Sequence, residues 1–169
     1  MEPQDEVAQI VAAWKLERPD LDSSPMFVLS RVSRLARHLD LERRRAFASH
    51  GLEPWEFDVL SSLRRSGAPY ALTPGTLMGE LLVSSGTMTN RIDRLELKGL
   101  VSRSPSPEDR RVVLVSLSDK GRARVDSALA TLLECERTIL GPLDAEARQQ
   151  LATQLMRILA PFDRAHSCT

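Results

Sequence analysis

The side chains with the most informative chemistry lie on one face of a helix predicted over residues 84–98. At about 100° per residue, Met88, Ile92 and Leu95 fall together on one side of that helix. The opposite side carries hydroxyl, amide and cationic groups, namely Thr87, Asn90, Arg94 and Lys98. Groups of these types hydrogen-bond to base edges and phosphates in the major groove of DNA. The pattern therefore indicates a helix with a polar face suited to nucleic acid.

A basic turn follows this helix. Gly99 ends the helix, and the aliphatic residues of 100–101 and 112–117 predict two short strands. The segment between them, SPSPEDRR, contains two prolines and ends in Arg110 and Arg111. It predicts a stiff hairpin with a cationic tip that can enter a minor groove, where the electrostatic potential is most negative. A helix followed by a basic hairpin is typical of a winged helix-turn-helix DNA-binding unit.

The candidate DNA contacts are polar and cationic residues of this helix and hairpin: Ser84, Ser85, Thr87, Thr89, Asn90, Arg94, Arg110 and Arg111. At least one of Ser84 and Ser85 is expected to cap the helix instead. Asn90 suits adenine and Arg94 suits guanine or phosphate, although both are also ordinary residues of a solvated helix face. Asp109 is expected to pair with one of the two hairpin arginines, and the sequence does not say which one.

Further helices must position this unit. They are predicted over residues 4–17, 25–50, 54–65, 74–82, 118–140 and from 143 to near the end of the chain, with a short strand at 70–72. Ser24 is expected to be the N-cap of the second helix, with Pro25 at its first position. Thr73 is expected to cap the fourth helix.

The stretch SSGTMTNRIDRLELKGLVSRSPSPEDRRVVLVSLSDKGR resembles the core of the MarR-type (multiple antibiotic resistance) transcriptional regulators. The shared features are a recognition helix that ends near a strand of type GLVxR, a wing with one acidic residue and two arginines, and an LxDxG motif that opens the next helix. They correspond here to 99–103, 109–111 and 117–121. The resemblance covers nearly the whole chain. It implies a mainly α fold with a small β-hairpin wing, and a regulator that is a repressor by default.

The domain organisation follows from the same resemblance and from the length of 169 residues, which favours a single domain. Residues 53–118 are expected to form the winged core, and 1–50 and 119–169 are expected to be mainly dimerisation helices. A homodimer would place two recognition helices about 34 Å apart, facing a palindromic operator in double-stranded DNA. In the alternative interpretation, the outer helices complete a monomeric core.

An additional N-terminal helix with a tryptophan makes the chain similar to the branch of this family that responds to urate or related anionic aromatic compounds. The ligand-linked residues of that branch are a tryptophan in the first helix, an aspartate before the helix-turn-helix, an arginine in the recognition helix and an arginine on the next strand. The matching residues here are Trp14, Asp58, Arg91 and Arg103. The resemblance implies an anionic aromatic effector, although purines, phenolates and indole acids all present similar groups.

A mechanism for this effector follows from the residue types. Asp58 lies in the mostly apolar run 55–60, where a carboxylate is costly unless it is paired, so an ion pair with Arg91 is expected. A flat anion held by Arg91 and Trp14 would repel Asp58, displace its helix and weaken DNA binding. The alternatives are a dimer-core Trp14, a solvated first-turn Asp58, a phosphate-binding Arg91 and a surface Arg103.

The charge balance favours a protein with a local basic surface over one that coats DNA without sequence preference. The chain has 23 basic and 23 acidic residues and a net charge of zero. Residues 84–111 carry six cations and four anions, and 31–45 carry six arginines against Asp40 and Glu42, which predicts a second basic patch. No apolar run is long enough for a membrane span, and the N-terminal MEPQDE is no signal peptide, so a cytoplasmic protein is expected.

Other functional classes have weaker support in the sequence. The three histidines lie far apart at 38, 50 and 166, and the nucleophile and phosphate-loop motifs are missing, so no enzyme is expected. No cofactor is expected. The two cysteines, at 135 and 168, are too far apart in sequence for a metal-binding motif, so no metal site is expected either. A redox sensor that uses Cys135 is an alternative, but the leucines around Cys135 favour a buried, unreactive thiol. A protein-interaction module would bind no DNA.

Overall fold

The computed structural model describes residues 5–166, and the side chains of residues 5–162. In chain order the elements are α1 (Glu6–Glu17), α2 (Met26–Ala48), α3 (Pro54–Arg65), β1 (Ala71–Leu72), α4 (Pro74–Leu81), α5 (Ser85–Leu97), β2 (Val101–Pro105), β3 (Val113–Leu117), α6 (Asp119–Ile139) and α7 (Ala145–His166). The described chain is therefore mainly helical with one small sheet, as predicted. His166 ends α7, and Cys168 lies outside the described residues.

The sheet is antiparallel with three strands in the order β1-β3-β2. The hairpin β2–β3 runs in register from Val101 opposite Leu117 to Pro105 opposite Val113. Strand β2 is thus longer than the predicted 100–101, because pairing with β3 continues as far as the first proline of the turn. The short strand β1 pairs with the other edge of β3 and closes the base of the hairpin.

The apolar core lies where α3, α4 and α5 pack on this sheet and on α6. Its fully buried side chains are Val59, Leu60, Leu63, Leu77, Met88, Ile92, Leu95, Leu100 and Val115. The three residues predicted for the inner face of the 84–98 helix are all among them. The predicted amphipathic pattern of this helix is therefore confirmed, and its polar face is directed to solvent.

Polar side chains fix most of the helix starts where the sequence predicts them. Thr73, Ser84 and Ser118 are N-caps whose hydroxyls accept the backbone N–H three residues later. The prediction for α2 was wrong, because Pro25 occupies the N-cap position and makes no side-chain cap bond. The Ser24 hydroxyl donates instead to the carboxylate of Asp22, 2.9 Å away.

The close contact between α6 and the base of the wing depends on Gly121. A Cβ atom at this residue would overlap the carbonyl oxygen of Leu100. The same carbonyl accepts the Ser118 N–H at 3.1 Å, and the Ser118 hydroxyl donates to Gly99 at 2.8 Å. The first turn of α6 therefore lies directly against the junction of α5 and β2.

The basic patch predicted over 31–45 is largely neutralised. Arg31, Arg34, Arg43, Arg44 and Arg45 form ion pairs with Asp5, Glu6, Glu136, Asp40 and Glu42 respectively. The prediction was wrong because the acids that pair with three of these arginines come from α6 and from α1 and its N-cap, outside the stretch considered.

The outer helices leave a large apolar surface exposed. Val7 and Val11 of α1 are buried, whereas Trp14 of the same helix is 50% exposed. The other large exposed apolar side chains on α2, α6 and α7 include Val28, Leu29, Val32, Leu35, Leu129, Leu133, Leu151, Met156, Ile158 and Leu159. No residue of α7 between 145 and 162 is buried.

Among the described residues, no helix combines the length and the apolar character that crossing a membrane requires.

Candidate nucleic-acid interface and adjacent cleft

The polar face of α5 is open to solvent. Ser85, Thr87, Thr89, Asn90 and Arg94 are all exposed. Ser84 has the capping role foreseen for one of the two serines, since its hydroxyl accepts the Thr87 N–H and lies 2.9 Å from the Thr87 hydroxyl. The predicted DNA contacts on α5 are therefore all accessible, and Thr87, Asn90 and Arg94 line one concavity.

A shallow concavity of about 420 Å³ lies on this surface, lined by Trp55, Gly86, Thr87, Asn90, Arg91 and Arg94. Trp55, near the start of α3, is the one lining residue that does not belong to α5. The Arg94 guanidinium carbon lies 4.7 Å from the centre of the Trp55 ring, and that of Arg91 lies 5.7 Å from it. Arg94 also donates to the carboxylate of Glu53 at 3.1 Å.

Lys98 does not belong to the free polar face predicted for it. Its ammonium group lies 2.6 Å from Oε1 of Glu56, whose side chain is fully buried. The other carboxylate oxygen of Glu56 accepts the Glu53 N–H at 3.0 Å and forms part of a capping box at the start of α3. Lys98 therefore compensates a buried charge and joins the end of α5 to α3.

The hairpin tip contains the predicted aspartate–arginine pair, and the partner is Arg111. Asp109 accepts three bonds of 3.0–3.2 Å from the backbone N–H and the guanidinium of Arg111. These bonds hold the pKa of the Asp109 carboxyl below its ordinary value. The Arg111 side chain remains 92% exposed. Arg110 is also exposed and pairs with no carboxylate among residues 5–162.

Arg103 joins strand β2 to α5. Its guanidinium donates to Asp93 at 2.5 Å and to Glu96 at 2.8 Å, and its backbone N–H donates to Glu96 at 3.0 Å. Both carboxylates lie on the side of α5 next to the hairpin. Arg103 therefore connects the hairpin to α5.

A cleft of about 440 Å³ lies between α2, α3, the end of α4 and α6. It is lined by Asp40, Arg43, Phe47, Pro54, Phe57, Asp58, Ser61, Arg65, Leu81 and Leu132. The rings of Phe47 and Phe57 are stacked with their centres 4.1 Å apart. Reduced hydration raises the pKa of the Asp58 carboxyl above its ordinary value, while the charges of Arg91, Arg43 and Arg65 act in the opposite direction.

The four residues predicted for the effector site do not line one cleft in the described chain. Asp58 lines the cleft, but Trp14, Arg91 and Arg103 do not. The predicted ion pair between Asp58 and Arg91 is absent from the described part of the chain, because the Arg91 guanidinium lies over the Trp55 ring. The cations that line the cleft are Arg43 and Arg65.

Sequence reasoning missed the group formed by Trp55, Glu53 and Glu56. The sequence signal for this group is the motif EPWE. Its two glutamates are three residues apart, and the proline between them occupies the first helical position. Such a motif predicts the start of a helix and does not indicate a contact with α5.

Cys135 is half-buried against the core and lines another cleft with Leu35 and His38, so it is less enclosed than expected.

Three core helices on a three-stranded sheet, with the exposed helix α5 beside the hairpin β2–β3, define a winged helix-turn-helix protein. The model of the MarR family matches residues 52–113, from just before α3 to the beginning of β3. The regulator PecS of Dickeya dadantii, described as HTH-type, is 40% identical over 153 residues, which are 90% of this chain and 92% of PecS. The chain belongs to the MarR family of transcriptional regulators.

Solved structures of other proteins superpose on most of this chain. YusO of Bacillus subtilis superposes with a TM-score of 0.67 at 25% identity, over 82% of this chain and 99% of YusO. A mutant of Escherichia coli MarR complexed with operator DNA superposes with a TM-score of 0.61 at 26% identity, over 82% of this chain and 99% of MarR. PecS, like MhqR of Bacillus subtilis, which is 36% identical over 53% of this chain and 60% of MhqR, is described as an HTH-type transcriptional regulator, which assigns the chain to regulation and not to catalysis.

Proposed function

We propose that this chain is a repressor that binds a palindromic operator as a homodimer and is released by a small anionic aromatic compound such as urate or a related purine. The observation that carries the DNA part is the exposed polar face of α5 beside an arginine-tipped hairpin. The solved complex of a MarR mutant with operator DNA supports it, because this chain shares that fold over 82% of its length.

The proposed DNA contacts follow from exposure and pairing. Ser85, Thr87, Thr89, Asn90 and Arg94 are the major-groove contacts, and Ser84 supports them as the cap of α5. Arg111 is the proposed minor-groove contact, because Asp109 already fixes its backbone and side chain and less conformational entropy is lost on binding. Arg110 is proposed to contact the flanking phosphates.

The proposed dimer rests on the exposed apolar surfaces of α1, α2, α6 and α7. Many large apolar side chains exposed on the same four helices are typical of an interface between subunits. The buried core joins the α3–β3 unit to the inner faces of α2 and α6, through Phe47 and Leu132 among others, and leaves these exposed residues out. A second copy of the chain related by a two-fold axis is the simplest partner, since it brings two α5 helices to one side of the duplex.

The proposed effector site is centred on the cleft at Asp58. Its stacked phenylalanines and the cations Arg43 and Arg65 suit a planar anion, and an anion there would act on the Asp58 carboxylate. Trp14, Arg91 and Arg103 remain proposed participants through the family resemblance. Occupation of the cleft would change the position of α3 relative to α5, and the ligand would lower operator affinity by favouring the arrangement that DNA does not.

Selection of bound duplexes from a random pool, with and without urate, tests both parts. We expect an enriched imperfect palindrome and its release by urate at physiological salt. Trp14→Phe, Arg43→Gln and Arg65→Gln should raise the urate concentration that is needed. Arg64→Gln is the matched control, because Arg64 adjoins Arg65 in sequence but pairs with Asp126 and does not line the cleft.

The two parts can fail separately. A pool without any enriched duplex at low salt would remove the DNA-binding assignment. An operator affinity that saturating urate leaves unchanged, with no heat of binding in calorimetry, would remove the urate assignment and leave the DNA assignment in place. A panel of phenolic and indole acids then decides whether another aromatic anion is the effector.

A further inference from the structure

We propose that Trp55 is a positioning residue for the DNA-contacting arginines of the recognition helix. Its indole ring holds Arg91 and Arg94 on the reading face of α5, so that both are oriented before DNA arrives. The inference rests on the proposed DNA binding. It adds Trp55 of α3 to the DNA-contacting surface of α5, and it assigns Arg91 to that surface in place of the effector role that the family resemblance implies.

The geometry places one ring against two guanidinium groups. Arg94 and Arg91 lie 4.7 and 5.7 Å from the ring centre, within the range of cation–π attraction. Asn90 and Thr87 line the same concavity, so the ring lies beside other predicted DNA contacts. Among residues 5–162, Arg91 forms no ion pair that would orient it in place of the ring.

A stacked guanidinium is well suited to contact DNA. The aromatic ring attracts the flat face of the arginine, whereas its N–H donors point outward in the guanidinium plane. The ring therefore restricts the rotamers of both arginines without using the donors that would bind phosphate or guanine. A carboxylate partner, by contrast, occupies such donors. Glu53 accepts one N–H of Arg94 at 3.1 Å and leaves the other donors of that guanidinium open, whereas Arg91 has no carboxylate partner among residues 5–162.

The ring itself is fixed at the start of α3. The indole N–H donates to Oε2 of Glu53 at 2.5 Å, and this bond is the main cause that lowers the pKa of Glu53 below its ordinary value. The capping box joins Glu53 to the buried Glu56, which in turn binds Lys98 at the end of α5. Trp55 thus belongs to a short network of hydrogen bonds that connects α3 to α5.

A purely structural role for Trp55 is the competing explanation, because the residue also packs on the apolar core. Double-mutant cycles separate the two roles. Trp55→Leu and Trp55→Phe are prepared in the wild type and in the Arg91→Ala/Arg94→Ala background. Each dimer is titrated against a fluorescein-labelled duplex that carries the sequence selected by the wild type.

We expect Trp55→Leu to weaken binding by roughly tenfold and Trp55→Phe by only about twofold to threefold, because phenylalanine keeps an aromatic face. In the background without both arginines, Trp55→Leu should cost less than about twofold. Tyr70→Leu is the matched control: the Tyr70 ring also carries two guanidiniums, those of Arg64 at 4.9 Å and Arg122 at 5.8 Å, but it lies outside the α5 concavity. It should leave affinity unchanged.

The indole resonance supplies a readout that a structural role would not move. In ¹⁵N-labelled protein, the Trp55 N–H signal, assigned through its loss in Trp55→Phe, should shift when the duplex is added. Equal losses from Trp55→Leu with and without the two arginines, or an unperturbed signal, would overturn the inference while leaving DNA binding intact. If the wild type selects no duplex, the proposed function fails instead.

Discussion

Lys98 and Glu56 connect the end of the recognition helix to the start of α3 through a bond of 2.6 Å between ammonium and carboxylate. Glu56 is fully buried, whereas the Lys98 side chain is 42% exposed. A buried carboxylate without a partner is costly, so this pair gives one fixed spacing between α3 and α5.

Removal of Lys98 should therefore destabilise the fold. We expect Lys98→Met to lower the free energy of unfolding by about 1–3 kcal/mol, because it leaves the Glu56 charge buried with only the Glu53 N–H as a partner. Urea denaturation followed by circular dichroism measures the change. The double variant Lys98→Met/Glu56→Gln removes the charge as well and should recover most of the loss; a double variant as unstable as the single one would contradict this account.

The two wing arginines should differ in their effects. Arg111→Ala is expected to weaken operator binding by about tenfold or more, the magnitude of one good specific contact. Asp109→Ala should cost about threefold, since Arg111 remains but loses its fixed orientation, and Arg110→Ala should cost no more than that. Fluorescence anisotropy with one duplex compares all three. Thermal stability should be unchanged, because these charges are exposed; equal losses from the two arginines would contradict the assignment.

The Asp58 carboxylate should make the fold less stable as pH rises. Its pKa is raised in the folded state, so between the ordinary value and the raised value the native protein binds more protons than the unfolded chain. Stability therefore falls as pH increases through that window and stays lower above it. Asp58→Asn should remove this slope and slightly raise the melting temperature at pH 7. Urea denaturation between pH 4 and 7 measures the difference, and a variant less stable than wild type at pH 7 would contradict it.

A side chain at Gly121 should disrupt the contact between α6 and the base of the wing. Gly121→Ala places a Cβ against the Leu100 carbonyl and should cost about 1–3 kcal/mol of stability, in the range of other overpacked sites. Gly79→Ala is the control, because Gly79 lies inside α4 with open space around it and should gain about 0.5–1 kcal/mol. Thermal denaturation of both variants gives the comparison; a neutral Gly121→Ala would show that the two segments separate easily.

The proposed dimer should depend on the exposed face of α7. Leu159→Glu is expected to shift the mass measured by light scattering from two subunits to one at micromolar concentration, because a charge would enter the apolar interface. Leu97→Glu is the control: Leu97 is 90% exposed on α5, away from the outer helices, and the dimer should persist. A wild-type protein that is already monomeric would contradict the proposed assembly.

The sequence predicted the helices and strands of the winged helix-turn-helix unit well, because interactions between residues close in sequence determine them. Ser84 and Thr73 cap their helices through bonds to residues three positions away, and Met88, Ile92 and Leu95 follow the helical period. The roles of the cationic residues were harder to predict, because the carboxylates that pair with them are distant in the sequence. Lys98 had the pattern of a solvated residue, and only the tertiary fold brings the buried Glu56 to it.

The same limitation of local rules explains the effector residues. Asp58 was expected to pair with Arg91 because a carboxylate in an apolar run needs a cation. The fold supplies Arg43 and Arg65 near it from α2 and α3, while Trp55 attracts Arg91. Both cleft arginines were visible in the sequence, but nothing in their own neighbourhoods indicated that they line the same cleft as Asp58.

The glycine at the start of α6 has a mechanical consequence. With 21 residues, this helix is a rod about 32 Å long, whose first turn touches the backbone at the wing base without an intervening side chain. Tilting such a rod by about 5° about its far end would carry the wing base through roughly 3 Å, enough to move an arginine out of a groove. In the proposed dimer, small adjustments between subunits would thus be amplified at the duplex.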